Sequence, residues 1–152
     1  MDWLIEMITS PFYLAPFTGW FVAQALKIPF SAIVQKKIDW KKFFSPGGMP
    51  SSHTSMVVAL TMMIAFQKGT GSAEFAISAT FAAIVMYDAA GVRRETGRQG
   101  KVINEIIGSF IMEGRPISDL EMKEIVGHTP FEVFIGAVVG ILCALFWVFV
   151  LG

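Results

Sequence analysis

An all-α integral membrane helix bundle, with about four spanning helices and amphipathic interfacial helices, is the architecture this sequence predicts. Three observations predict it. The chain is 54% hydrophobic and 16% charged over 152 residues, with a mean hydropathy of +0.60. That apolar excess marks a membrane chain, and the length suits a single membrane domain, residues 1–152. Residues 131–151, FEVFIGAVVGILCALFWVFVL, carry one charge, Glu132, and at about 1.5 Å per residue they cross a ~30 Å hydrocarbon layer. The Lys and Arg residues, finally, are grouped in connectors rather than scattered.

Taken in order, residues 11–35 form the first long apolar stretch, interrupted by Gln24, Lys27 and Pro29. Pro29 is expected to kink it. Residues 53–66 and 75–87 are uncharged but short, and they cross only if their polar ends lie among the lipid headgroups. The alanine-rich stretch 73–90 suits tight packing inside a bundle. Val102, Ile103, Ile106, Ile107, Phe110 and Ile111 recur at helical spacing, which predicts an amphipathic helix on the membrane or under the bundle. A short helix over about 119–126 is expected from Ser118 as cap, Glu121 three residues on and Gly127 at its end. Gly136 and Gly140 make a small-xxx-small face for close helix packing, a candidate seat for a homo-oligomer.

Several function classes drop out. A formal net charge of zero gives no general attraction to nucleic acid. Cys143 is the one cysteine, so no intramolecular disulfide forms. Residues 1–10 hold Asp2 and Glu6 but no Lys or Arg, so no secretory signal is expected.

The basic residues set a topology. Lys36, Lys37, Lys41 and Lys42 lie in the first connector, and Arg93, Arg94, Arg98, Lys101, Arg115 and Lys123 in the third. Under the positive-inside rule both connectors face the cytoplasm and both termini face out, with the plasma (inner) membrane as the expected location. Three polar clusters then meet on the cytoplasmic side. GGMPSSHT (47–54) opens one helix, DAAGVRRETGRQ (88–99) leaves another, and GHTPFE (127–132) opens the last. Lys27, about 12 Å deeper along its own helix, can reach toward them.

That set suits phosphate chemistry. Helix N-termini favour anions, arginine forks grip phosphate oxygens, and lysine acts as a point charge. One of two histidines can attack phosphorus while the other protonates the leaving oxygen. A carboxylate four residues beyond a histidine, as Glu132 is to His128, can fix the ring's tautomer. Plainer roles compete: Ser51 or Ser52 as a helix cap, Thr129–Glu132 as a capping box, Lys27 as a snorkelling side chain, Arg93 and Arg94 as topology signals, and Asp88 as a salt-bridge partner. A carboxylate holding the Thr129 N–H is not expected also to serve His128 freely.

PSSH followed at a distance by HTPFE resembles the type 2 phosphatidic acid phosphatase superfamily, which includes the vanadium haloperoxidases. GGMPSSHTSMVVAL, MYDAAGVRRETGRQ and GHTPFEVFIGAVVG resemble its divergent, small membrane branch. The resemblance implies His128 as nucleophile, Glu132 as its orienting carboxylate and His53 as general acid. It also implies Ser51, Ser52 and Lys27 beside the phosphate, no metal or other cofactor, and a phospholipid or polyprenyl phosphate substrate taken from the bilayer. The chain departs from the superfamily pattern at three places. Val34 and Gln35 replace Arg-Pro of the first motif, Glu121 and Met122 stand where Ser-Arg should precede His128, and Ser52 replaces a glycine. Arg93 and Arg94 are expected to supply the missing charge, with Asp88 supporting them. A non-catalytic anionic-lipid-binding or transport protein would use the same cationic pocket.

Overall fold

The computed structural model describes residues 2–45, 47–112 and 128–151. All regular structure among them is helical: α1 (Asp2–Thr9), α2 (Pro11–Gln35), a 3₁₀ turn (Trp40–Phe44), α3 (Ser52–Lys68), α4 (Ala73–Ala90), α5 (Val92–Met112) and α6 (Pro130–Leu151). Local chemistry sets the boundaries. Ser10 caps α2 by accepting from Phe12 N, with Pro11 at the first helical position. Ser51 caps α3 and Ser72 caps α4, each accepting from the backbone N–H three residues on. Gly69, at φ 82°, ends α3 in a backbone conformation that favours glycine.

Helix α3 is the centre. It packs against α2, α4 and α6, and α2 also packs on α6. Its neighbours come close because they present no side chain. A Cβ added at Gly136 would lie 2.5 Å from Ser51 O, one at Gly140 2.5 Å from Ser55 O, and one at Gly19 3.0 Å from Ser55 O. Ser55 Oγ donates to Gly19 O at 2.8 Å, which ties α3 to α2. The Gly136/Gly140 face, a candidate for pairing between copies, is therefore occupied by α3 of the same chain.

Side-chain distribution is inverted relative to a soluble protein. Ala15, Ala23, Ala59, Ser51, Thr54 and Ser55 are buried, while Phe17, Phe21, Phe81, Phe134, Phe146 and Phe149 are exposed. Small residues inside and large apolar ones outside is the arrangement of helices packed within lipid, where burial of hydrocarbon drives nothing. Among the described residues, two helical stretches, Ala73–Gly108 and Pro130–Leu151, are long and apolar enough to cross a membrane.

One local expectation changes. Residues 88–99 are not an open connector: Gly91 N donates to Tyr87 O at 2.8 Å and Glu95 N to Gly91 O at 3.0 Å, so the helical ladder resumes at once as α5. Pro29 and Pro16 both lie within the continuous α2. The helix expected over 119–126 lies outside the described residues.

Candidate active site

The start of α6 builds the core of the site. Thr129 Oγ1 accepts from Glu132 N at 3.3 Å, and Glu132 Oε2 accepts from Thr129 N at 3.1 Å, a reciprocal capping box. The same Oε2 lies 3.0 Å from His128 Nδ1. Capping and histidine orientation, read from the sequence as competing duties, are thus combined, because one carboxylate oxygen has two lone pairs. With Nδ1–H donated to the carboxylate, the neutral ring carries its free lone pair on Nε2. That ring is 2% exposed, and Nε2 has no hydrogen-bond partner among the described residues.

Backbone bonds hold the neighbouring motifs against this pair. His128 N donates to Ala89 O at 3.1 Å, joining the end of α4 to the start of α6. Ser51 N donates to Glu132 O at 3.2 Å, joining PSSH to HTPFE. Ser51 Oγ accepts from Thr54 N at 3.4 Å and Thr54 Oγ1 at 3.0 Å, so it is engaged as a cap. Ser52 is buried beside it, whereas His53 in the same first turn is exposed. Asp88, half-buried, precedes the Ala89 carbonyl that receives the His128 N–H. Arg93 and Arg94 fall in the first turn of α5; their side chains lie outside the described ones.

Lys27 belongs to the same end of the bundle. It is 2% exposed, and its Nζ donates to Ser45 O at 2.8 Å. A cavity of about 200 Å³ opens beside it, lined by Lys27, Ser31, Lys42, Gly47, Gly48 and Glu132 among others. Neither histidine lines this cavity. Lys42 is the residue that sequence reasoning missed. It is one of four lysines in the first connector, and no spacing or neighbour in the sequence singles it out. Asp39 caps the 3₁₀ turn through Lys41 N, and Ser45, at the end of that turn, is held by Lys27. Those contacts turn Lys42 inward, while Lys36, Lys37 and Lys41 stay exposed.

An inverted helical bundle that draws Lys27, the PSSH turn and a carboxylate-bound histidine together defines a helical membrane protein with its polar groups gathered at one end. The sequence matches the Divergent PAP2 family over residues 8–143, and the chain belongs to that family. It is 40% identical over 151 residues to the "Uncharacterized membrane protein YuiD" of Bacillus subtilis (strain 168), covering 93% of this chain and 96% of the relative. No solved structure matches the chain significantly.

Proposed function

We propose that this protein is a membrane lipid-phosphate phosphatase that hydrolyses a phosphomonoester or diphosphate through a phosphohistidine at His128. The observation that carries the proposal is the His128–Glu132 pair. Its Nδ1 is committed to a carboxylate at 3.0 Å, and its Nε2 is left buried and unpartnered among the described residues. A buried polar atom without a partner is costly, and a site keeps one where chemistry uses it. Nε2 attacks phosphorus, the bond to the leaving oxygen breaks, and that oxygen takes a proton from His53. Water then attacks the phosphohistidine, releasing inorganic phosphate and restoring Nε2. Turnover requires the ring edge to open to the phosphate, since the atom is enclosed as it stands. Lys27, Ser51, Ser52, Arg93 and Arg94 hold the phosphate oxygens, and Asp88 supports the arginines.

The lipid setting supports this reading. An apolar cleft of about 360 Å³ runs between α2 and α6 past Thr18, Val22, Leu26, Val139, Leu142 and Phe146, and Leu26 adjoins Lys27. A headgroup at the lysine leaves its tail level with that cleft. In this reading α2, α3, α4 and α6 all cross, with the site on the cytoplasmic face of the plasma membrane. At 17 residues, α3 spans about 25 Å, so its polar ends sit among headgroups.

In detergent, the full chain is expected to release phosphate from a panel of phosphatidate, phosphatidylglycerol phosphate and polyprenyl phosphates, with the same rate in EDTA. Absence of turnover on the whole panel would sink the enzyme reading. Glu132→Gln keeps an oxygen for the Thr129 N–H but loses the charge behind His128. Its melting temperature should stay close to wild type while turnover falls roughly 10²–10⁴-fold, the usual contribution of a positioned acid–base group. A large stability loss with unchanged specific activity would assign Glu132 to capping alone.

One observation favours a second reading, a non-catalytic anionic-phospholipid-binding or transport protein. The lysine cavity touches neither histidine, so an anion can sit there without reacting. That reading requires saturable anionic-lipid binding that survives His53→Ala, with no turnover.

A further inference from the structure

The proposed nucleophile and the cationic cavity occupy different places. Nδ1 of His128 faces Glu132, and Nε2 lies on the opposite edge of the ring, outside the cavity. Among the described residues the cavity has two cations of its own. Lys27 is buried and reaches Ser45 O, and Lys42 comes from the 3₁₀ turn. The Lys42 backbone bonds Asp39 O and Ser45 N within the turn, and its ammonium group has no hydrogen-bond or ion-pair partner among the described residues. Glu132, in the same wall, balances one of these charges, and a second lysine beside the pair calls for a further anion. The carboxylate in the wall, Glu132, has one oxygen already taken by Thr129 N and His128 Nδ1. A phosphate held by both lysines sits beside Glu132 and is not the phosphate that Nε2 attacks, so in a two-phosphate substrate Lys27 serves the second phosphate and leaves the reacting one to Ser51, Ser52, Arg93 and Arg94.

From this separation we propose that Lys27 and Lys42 form a second anion subsite, and that the substrate is a lipid diphosphate whose lipid-linked phosphate occupies it. The proposal rests on the phosphatase reading and narrows it to substrates with two phosphate groups. In the reaction, His128 Nε2 bonds to the terminal phosphorus and the bond from that phosphorus to the bridging oxygen breaks. The electron pair stays on the lipid monophosphate, where the two ammonium groups stabilise the growing negative charge. Water then attacks the phosphohistidine, so the sum is lipid diphosphate plus water giving lipid monophosphate plus inorganic phosphate. A phosphate leaving group held by two cations needs less help from a general acid than an alkoxide does. His53 is exposed and does not line the cavity, which accords with that lighter demand.

The test uses the full chain in detergent and begins with binding, which is independent of turnover. Titration calorimetry is expected to show inorganic pyrophosphate binding at least tenfold more tightly than inorganic phosphate. Lys42→Ala should erase that preference, Lys42→Arg should restore it, and Lys41→Ala, at an exposed neighbour, should leave it intact. Turnover is then compared for farnesyl diphosphate and farnesyl monophosphate. The diphosphate should be favoured at least tenfold in kcat/KM, and Lys42→Ala should remove the advantage mainly through KM. Equal affinity for pyrophosphate and phosphate, or equal effects of Lys41→Ala and Lys42→Ala, overturns the subsite. A Lys42-dependent pyrophosphate preference with no turnover on either farnesyl substrate leaves the subsite standing and refutes the phosphatase reading. Monophosphate hydrolysis as fast as diphosphate hydrolysis, unaffected by Lys42→Ala, does the reverse.

Discussion

A His128→Ala variant is expected to fold, to bind anionic lipid, and to release no phosphate above background. The size of the loss follows from the role assigned to Nε2. Where a side chain forms the covalent intermediate, its removal costs the whole nucleophilic pathway, on the order of 10⁶-fold in kcat in a well-studied hydrolase of another kind. The fold should survive because the ring's neighbours have other ties. Glu132 Oε2 keeps the Thr129 N–H at 3.1 Å, and the residue 128 N–H still reaches Ala89 O, a backbone bond at 3.1 Å that alanine also makes. His128→Asn is the companion variant, since its amide can still donate toward Glu132 but cannot carry phosphate. Two measurements decide the matter: phosphate release over time, and trapping of an acid-labile, alkali-stable phosphoprotein from labelled substrate. Wild-type turnover in His128→Ala, or undiminished label in either variant, removes the phosphohistidine from the mechanism.

Most of the bundle is legible in the sequence because its signals are local. Residues 11–35 and Pro11–Gln35 coincide, and 131–151 differs from Pro130–Leu151 by one residue, since Pro11 and Pro130 mark helix starts and the apolar runs do the rest. The two inner helices run longer than their apolar cores, because Ser51 and Ser72 cap ahead of the first hydrophobic residue. Helix α5 was hidden at its start. Gly91, Arg93 and Arg94 read as a connector, yet a glycine with no proline nearby interrupts a helix without ending it. The site divides in the same way. His128 and Glu132 are four residues apart on one chain segment, so their meeting follows from helix geometry. Lys42 approaches Lys27 only through tertiary contacts of the 3₁₀ turn, and four lysines of equal chemistry offer nothing to choose among. The shared use of Glu132 Oε2 was equally unreadable, because residue types do not say whether two donors can reach one oxygen.

The second large effect concerns stability, at Gly136. Its α-carbon faces the N-terminal turn of α3, where an added Cβ would stand 2.5 Å from Ser51 O, 3.1 Å from Thr54 Cβ and 3.2 Å from Ser51 Cβ. The nearest atom is backbone, so no flexible side chain can swing aside, and the helices themselves must separate. Overpacking of this kind costs about 1–3 kcal/mol and occasionally more. Gly136→Ala should therefore unfold measurably earlier in a denaturant titration in detergent, and Gly136→Leu should fail to fold or lose most of its stability. Gly108→Ala is the control: a Cβ there meets nothing within 4 Å among the described residues, and exchanging glycine for alanine inside a helix should stabilise by up to about 1 kcal/mol. Function should fall with Gly136→Ala even under conditions where the protein stays folded. The α3–α6 separation that relieves the clash also stretches the 3.2 Å bond from Ser51 N to Glu132 O. That bond sets PSSH against the histidine–carboxylate pair, so a shift of a few tenths of an ångström there moves one half of the site relative to the other. If Gly136→Leu and Gly108→Ala unfold at the same denaturant concentration, the close α3–α6 approach does not hold the bundle together, and the two motifs must be kept in register by something else.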